Sequence, residues 1–490
     1  MKDIKHQFVT SSIWVVLGRG STNLVGFLLF TLLARFLGPA NYGLVAFAAL
    51  FIELSRPLAL AGFPQALIQR STWDDEVSSN AFWANLGLSI FIALVLGGAF
   101  APLMTATYDP MMKWVLPSLA VTLVIDASRA PHEAFLQRQF KFKVLAKRNV
   151  VSMVIAGVIG VALAYLGFGV WALVANRIVN SVLCTVIVVI SVPWRPRLTF
   201  SVTVVKPLFS YGMYLSGTGL IQQVNRRVPD LMVGALLGPA PVGIFRVGSR
   251  AVNILTDAVI QPMSATALSA FSRVKEKGSV ADAYLRVTKA CGLLSFPVYY
   301  GAAAVATDFV TVCFGQKWHE SGEVMAMIAL FGGAGTLNYF SGSALSAVGR
   351  TSLLFWSSTT SFISICLITY FTLPYGVPMV ALGFTVRAYL ILPLLLFLLK
   401  KGLQLDPWAA LRGIFPPFIA AALMALILVA LKMEFLGELK PLLRLCIMVA
   451  TGAVIYPIIL FTLSRPYVQE MRLELSPVFL RLTKRLHSRP

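Results

Sequence analysis

Charge is scarce in this chain: only 12% of its 490 residues are Asp, Glu, Lys or Arg, against 58% apolar residues and a mean hydropathy of +0.79. A water-soluble domain of this length is not built from that balance, which excludes a soluble enzyme. Histidine is equally scarce, at four residues (His6, His132, His319 and His487), and the chain has no H-E-x-x-H, no G-x-x-x-x-G-K-S/T loop and no G-x-S-x-G elbow. No metal site, catalytic residue or cofactor is therefore expected, and the usual machinery for direct use of ATP is missing. The five cysteines (Cys184, Cys291, Cys313, Cys366 and Cys446) stand singly, so neither disulfides nor a metal cluster is expected.

What the chain does have is long apolar runs. A hydrocarbon core about 30 Å thick needs roughly 20 apolar residues per helix. About fourteen such runs lie between the charged and Pro/Gly-rich breaks: 10–34, 42–62, 80–105, 114–133, 149–166, 170–192, 207–233, 241–268, 288–308, 322–345, 351–373, 376–399, 411–431 and 442–463. Barrel strands would alternate over about ten residues, so these are read as helices. The expected fold class is an all-α polytopic membrane protein with about 14 transmembrane helices. Lys2 and Lys5 before the first run resemble a secretory signal, but the run is too long for an h-region and lacks a small-x-small cleavage site. It is read as a retained helix.

The net charge of +21 takes its meaning from placement. With the N-terminus inside, 26 of the 41 Lys and Arg fall in cytoplasmic segments, five in external loops and ten, all Arg, within spans. That asymmetry is the positive-inside signal and puts both termini in the cytoplasm. The basic clusters, such as Arg138, Lys141, Lys143, Lys147 and Arg148, read as topology signals touching anionic membrane lipid, with no nucleic acid expected as a partner. External loops are short, leaving no room for an extracytoplasmic domain.

LGPANYG at Leu37 to Gly43 recurs as LGPAPVG at Leu237 to Gly243, an offset of 200 residues. Each copy reads as a tight helix-to-helix turn, with Pro39 and Pro239 stopping one helix and the glycines permitting the turn. Matching hydropathy around both copies predicts two pseudo-symmetric six-helix lobes, 1–200 and 201–405, then a C-terminal helix pair at 406–465 and a basic cytoplasmic tail at 466–490. Related lobes around a substrate site are a recurrent transporter plan.

Charges at membrane depth cost about 2.5–3.5 kcal/mol each on insertion scales, so they are expected to face water or one another. Glu53 with Arg56, Asp126 with Arg129, and Arg226 with Asp230 have the spacing of intrahelical pairs. Arg129, Arg177, Arg387 and Arg444 stand near span ends, where they can snorkel. In 241–268, Arg246, Arg250, Asn253 and Asp257 recur at i, i+4, i+7 and i+11, a polar stripe on one helix face. Span 207–233 adds Gln222, Gln223, Asn225, Arg226 and Arg227, and the first span adds Arg19 with Asn23.

The repeat relates Glu53 to Asn253, so the polar faces of both lobes are expected to converge on one cavity. Among the charges singled out at membrane depth arginine outnumbers acid by ten to four, which makes that cavity cationic and suited to an anionic ligand. Arg19, Arg246 and Arg250 are the leading candidates for substrate binding, followed by Arg226, Arg227, Arg56 and Asn253. Glu53 and Asp257 are candidate ion-coupling residues. Export of an anion from a negative-inside cell is favoured by about 2.3 kcal/mol per charge per 100 mV, so uniport and cation coupling both remain open.

The stretch LLARFLGPANYGLVAFA (Leu32 to Ala48), ALIQR (Ala66 to Arg70) and AFLQRQFKF (Ala134 to Phe142) with its basic run resemble the Wzx-type polysaccharide flippases of the MOP superfamily. Within them the chain resembles the branch serving colanic-acid and succinoglycan-like exopolysaccharides. The resemblance extends over most of the chain in layout, with matching motifs mainly in the first 150 residues. It implies a 14-helix fold of two lobes around a cationic cavity, working by alternating access in the bacterial inner membrane. It also implies a substrate, an undecaprenyl-pyrophosphate-linked oligosaccharide moved from the cytoplasmic to the periplasmic leaflet for exopolysaccharide, capsule or O-antigen (lipopolysaccharide) synthesis. Glycosyltransferases and a polysaccharide polymerase would be the partners.

Two alternatives stand beside it. A membrane polysaccharide polymerase or ligase would share the lipid-linked substrate but needs a sizeable external loop. A cation-coupled multidrug exporter of the same superfamily wants exposed acids, where this chain has arginine. Lipid II flippases share a cationic cavity, and the resemblance alone separates them.

Overall fold

Inside hydrocarbon every backbone N–H and C=O must find a partner within the protein, and the helix supplies it segment by segment. The structure, a computed structural model, describes the backbone of residues 2–70, 72–275, 279–467 and 469. Side chains are described from residue 18 on, except Arg19 and scattered positions at 215, 218, 262–275 and 351. Among the described residues all regular structure is helical, as expected, and the chain is a multi-pass membrane protein. The tail beyond 470 lies outside the described residues.

The chain forms two compact units, Met1–Arg246 and Val247–Pro490. The first holds α1 (Lys2–Leu60), α2 (Phe63–Gln69), α3 (Asp75–Leu94), α4 (Ala101–Thr107), α5 (Met112–Arg138), α6 (Phe142–Tyr165), α7 (Val170–Ser191), α8 (Val202–Leu237) and the start of α9 (Pro239–Val259). The second continues from α9 into α10 (Gln261–Lys275), α11 (Val280–Phe314), α12 (His319–Ala329), α13 (Gly332–Ala347), α14 (Thr351–Thr372), α15 (Val377–Leu403), α16 (Pro407–Glu434) and α17 (Pro441–Leu463). A π-turn at Val95–Phe100 joins α3 to α4.

Nine described helices are long and apolar enough to cross a membrane singly, and the bent pair α12 and α13 makes ten. The count of about fourteen is thus not confirmed. Runs 10–34 and 42–62 are one kinked helix, α1, while α5, α8 and α9 carry charged or amide residues that lower their hydropathy. Two expected spans are broken. The run 241–268 divides at Ile260, before Pro262, which has no N–H to continue a helix, and 322–345 bends by 58° at Leu330–Phe331, between α12 and α13.

The repeated turn has the same backbone twice. Gly38 (φ 73°, ψ 170°) and Gly238 (φ 92°, ψ −172°) occupy a region open in practice only to glycine. Pro39 and Pro239 follow directly and begin the next helix, where a missing N–H costs nothing. These prolines therefore open helices rather than stop them, a correction to the sequence reading. Gly43 and Gly243 serve a different purpose. A Cβ on Gly43 would collide with the Pro239 carbonyl, and one on Gly243 with the Pro39 carbonyl, so the two turns seat against each other.

Small residues bring the helices of the first unit together elsewhere too: Gly157 of α6 receives Leu29 of α1, and Gly160 meets Asn176 of α7. That is expected where dispersion and close backbone approach replace a hydrophobic driving force. Ala61, Phe63, Ala66, Leu67, Val77, Ala81, Ala134 and Leu208 wedge α2 among α3, α5 and α8. In the second unit α11 packs against α12, α13, α16 and α17.

Gly43→Ala should lower the thermal unfolding midpoint of the purified protein, by about 1–3 kcal/mol of overpacking, and Gly38→Ala by a similar amount of backbone strain. Gly413→Ala, where an added Cβ meets nothing, should not lower it. An unchanged midpoint for Gly43→Ala would contradict the seating of the two turns.

Candidate functional site

Glu53 and Arg56 stand one turn apart on α1, yet they do not pair with each other. Glu53 Oε2 lies 3.0 Å from Arg227 Nη2 and 3.7 Å from Arg246 Nη2. Asp230 Oδ2 lies 3.1 Å from Arg227 Nη1 and 3.5 Å from Arg246 Nε. Two arginines and two carboxylates, drawn from α1, α8 and α9, thus alternate around a closed ring. One oxygen of each carboxylate, Glu53 Oε2 and Asp230 Oδ2, faces both guanidiniums. Arg177 of α7 stands beside the ring, within electrostatic reach of Glu53, Arg246, Tyr42 and Arg56. Among the described residues it forms no ion pair within 4.0 Å.

A second chain of charges runs through α1, α5 and α6. Arg56 pairs with Asp126, whose other oxygen faces Arg129 at 3.1 Å and accepts from Ser181 Oγ at 2.6 Å. Arg129 Nε reaches Glu133 at 2.6 Å, and Glu133 pairs in turn with Arg148. Asp126 and Asp230 are almost fully buried, and each is partnered by two arginines, the condition under which a carboxylate tolerates burial. Counting both groups, six arginines (56, 129, 148, 177, 227 and 246) face four carboxylates (53, 126, 133 and 230), so the interior of this unit carries a positive surplus.

Two cavities open onto these charges. One, of about 380 Å³, is lined by Glu53, Arg56, Pro57, Leu60, Gly62, Gln65, Ser216, Gly219 and Gln223. It exists because α1 ends here and α8 approaches closely: a Cβ on Gly212 would collide with the Ala61 carbonyl. The other, of about 340 Å³, is bordered by Thr22, Asn23, Glu133, Gln137, Arg148 and Asn149 among others.

In the second unit Asp308, buried on α11, is held by Lys432 Nζ of α16 at 2.7 Å and Arg444 Nε of α17 at 2.8 Å. This clamp ties the last two helices to α11. Arg387 of α15 does not snorkel as expected. It is buried, donates to the Ser361 carbonyl and hydroxyl at 3.0 Å, and stacks on Phe384 at 5.2 Å.

The candidates from sequence are sorted by these contacts. Arg56, Arg227, Arg246 and Glu53 come together in the first unit. Arg226 is exposed and does not pair with Asp230; Arg227, one residue on, takes that place. Of the stripe on α9, Arg250 and Asn253 are exposed, and Asp257 is partly buried near Tyr339. Arg19 lies in α1, its side chain outside the described residues. Glu133 and Asp308 carry no sequence signal as partners, because each is the last residue of an expected span, where a charge is unremarkable.

A model of a family described as polysaccharide biosynthesis protein matches residues 32–323. The succinoglycan biosynthesis transport protein ExoT of Rhizobium meliloti (strain 1021) is 25% identical over 469 residues, with 94% of this chain and 93% of ExoT covered. Among solved structures, the lipid II flippase MurJ in an inward closed conformation matches with a TM-score of 0.72 at 15% identity, covering 94% of this chain and 100% of that one. An inward-facing multidrug resistance MATE transporter of the MOP superfamily matches with a TM-score of 0.60 at 14% identity, covering 84% and 96%. The structural likenesses are to the fold, and the resemblance read from the motifs is borne out.

Asp126→Asn, which strips the carboxylate from between Arg56 and Arg129, should cost about 3–5 kcal/mol of stability. Arg226→Gln, at an exposed position, should be near neutral. Equal unfolding midpoints for the two variants would show that the charge chain carries no stability.

Proposed function

The chain belongs to the polysaccharide biosynthesis protein family, and on that premise we propose that it is a flippase, a transporter rather than an enzyme, for a lipid-linked oligosaccharide. The proposed substrate is an undecaprenyl-pyrophosphate-linked repeat unit, carried by alternating access from the cytoplasmic to the periplasmic leaflet of the inner membrane. The observation that carries the reading is the arginine surplus in the first unit, where Arg227 and Arg246 are braced side by side and Arg177 and Arg56 stand nearby. Guanidinium forks held rigidly suit phosphate oxygens, which they bind bidentately at any physiological pH.

Arg56, Arg227 and Arg246 are the proposed phosphate ligands, with Arg19, Arg226, Arg250 and Asn253 as further substrate contacts. Glu53 is engaged by two arginines, which leaves Asp257 the better candidate for cation coupling. A multidrug exporter for cations is disfavoured by the same surplus of positive charge. The glycosyltransferases that build the repeat unit and the polymerase that consumes it are the proposed partners.

Purified undecaprenyl-pyrophosphate oligosaccharide should cross reconstituted vesicles carrying the wild type. Losing charge-assisted bonds worth about 1.5–3 kcal/mol each, the double variant Arg227→Gln with Arg246→Gln should transfer at least about tenfold more slowly while remaining inserted. Equal rates would sink the assignment of these arginines. Fluorescent-protein fusions to either end should glow, as they do only on the cytoplasmic side; a dark but expressed fusion would reverse the proposed orientation.

A further inference from the structure

Arg227 and Arg246 do not stand open to a ligand. Each already touches two carboxylate oxygens, and those oxygens bridge the two guanidiniums as the oxygens of a diphosphate would. The two carboxylates are not equivalent. Asp230 is on the same helix as Arg227, three residues on, and its side chain is only 6% exposed. Glu53 comes from another helix, is 27% exposed, holds Arg246 at the longer distance of 3.7 Å, and borders the 380 Å³ cavity. Asp230 is built in; Glu53 has somewhere to go.

It also has something to go to. Arg56 is one turn further along α1, at the i,i+3 spacing that favours an ion pair, and borders the same cavity with its side chain half exposed. Arg177 is within electrostatic reach of Glu53 as well.

We propose that Glu53 is a resident stand-in for the ligand's phosphate: it bridges Arg227 and Arg246 in the empty site, and a diphosphate displaces it toward Arg56 while Asp230 keeps the two arginines parallel. This deepens the flippase reading and rests on it. With Glu53 in place the ring is neutral, so the resting protein does not leave a net positive charge uncompensated there at membrane depth. Exchange replaces one monovalent carboxylate by a group of higher charge, and the neighbouring Arg177, which forms no ion pair among the described residues, is there to balance it. A singly charged headgroup offers no gain over Glu53 and is turned away. Glu53 thus sets a threshold of charge, making it a residue of specificity against monoanions. Discrimination by an internal competitor is a form of design against the wrong ligand.

The test is calorimetric binding of inorganic pyrophosphate and of inorganic phosphate to the purified full chain in lipid nanodiscs at fixed ionic strength. Glu53→Gln should bind pyrophosphate about tenfold more tightly than wild type, about 1.4 kcal/mol. It should gain by a similar factor for phosphate, because the cost of displacing Glu53 is common to both ligands. Glu53→Asp, with a carboxylate drawn back from Arg246, should lie between and serves if the glutamine variant does not fold. Asp230→Asn should gain nothing. If both Glu53 variants bind pyrophosphate no more tightly than wild type while Arg227→Gln with Arg246→Gln still abolishes binding, the stand-in role is wrong and the flippase reading survives. If pyrophosphate binding is absent, or indifferent to the two arginines, the reading itself fails and the inference with it.

Discussion

A charge placed in hydrocarbon must find an opposite charge, a polar partner or water, and the interior of this protein is arranged around that requirement. The first unit satisfies it with two linked motifs, the ring of Glu53, Arg227, Asp230 and Arg246 and the chain from Arg56 through Asp126, Arg129 and Glu133 to Arg148. The second unit does the same around Asp308. Asp126, Asp230 and Asp308 are each more buried than the cations that hold them, and over the two motifs of the first unit with Arg177, and again around Asp308, cations outnumber acids. That arrangement keeps every carboxylate compensated and leaves positive charge over, which is the property an anionic headgroup requires.

Bringing those charges together depends on how closely the helices approach, and glycine governs the approach. Gly43 and Gly243 let the repeated turns meet, and Gly212 lets α8 close on the end of α1 beside the cavity. The arginines of α8 and the start of α9 therefore reach Glu53 on α1 only because backbone meets backbone nearby. Packing by small residues and placement of charge are one design: the first fixes the distances at which the second is tolerable.

Much of the fold was legible. Apolar run length marked the helices, the Leu37 and Leu237 repeats marked equivalent turns, and the motifs of the first 150 residues pointed to the family. The simple count of spans did not carry over, because α5, α8 and α9 carry the interior charges and so look least like membrane helices. The site was legible as a population of arginines and illegible as a set of pairs. Helical spacing offered Glu53 to Arg56 and Asp230 to Arg226, whereas the structure joins Glu53 to Arg227 and Arg246 and gives Asp230 to Arg227.

By itself, then, the sequence determined the medium, the helical class, the excess of arginine over acid and the places where the chain must turn. These follow from composition and from local rules that act within a turn or a span. Only the tertiary structure decided which carboxylate meets which guanidinium, that Arg387 is buried rather than snorkelling, and that Glu133 and Asp308 belong to the charge networks. The reason is physical: an ion pair across helices depends on the rotation and separation of elements far apart in sequence, and the preference of neighbours at i+3 or i+4, a few tenths of a kcal/mol, is too small to hold against it.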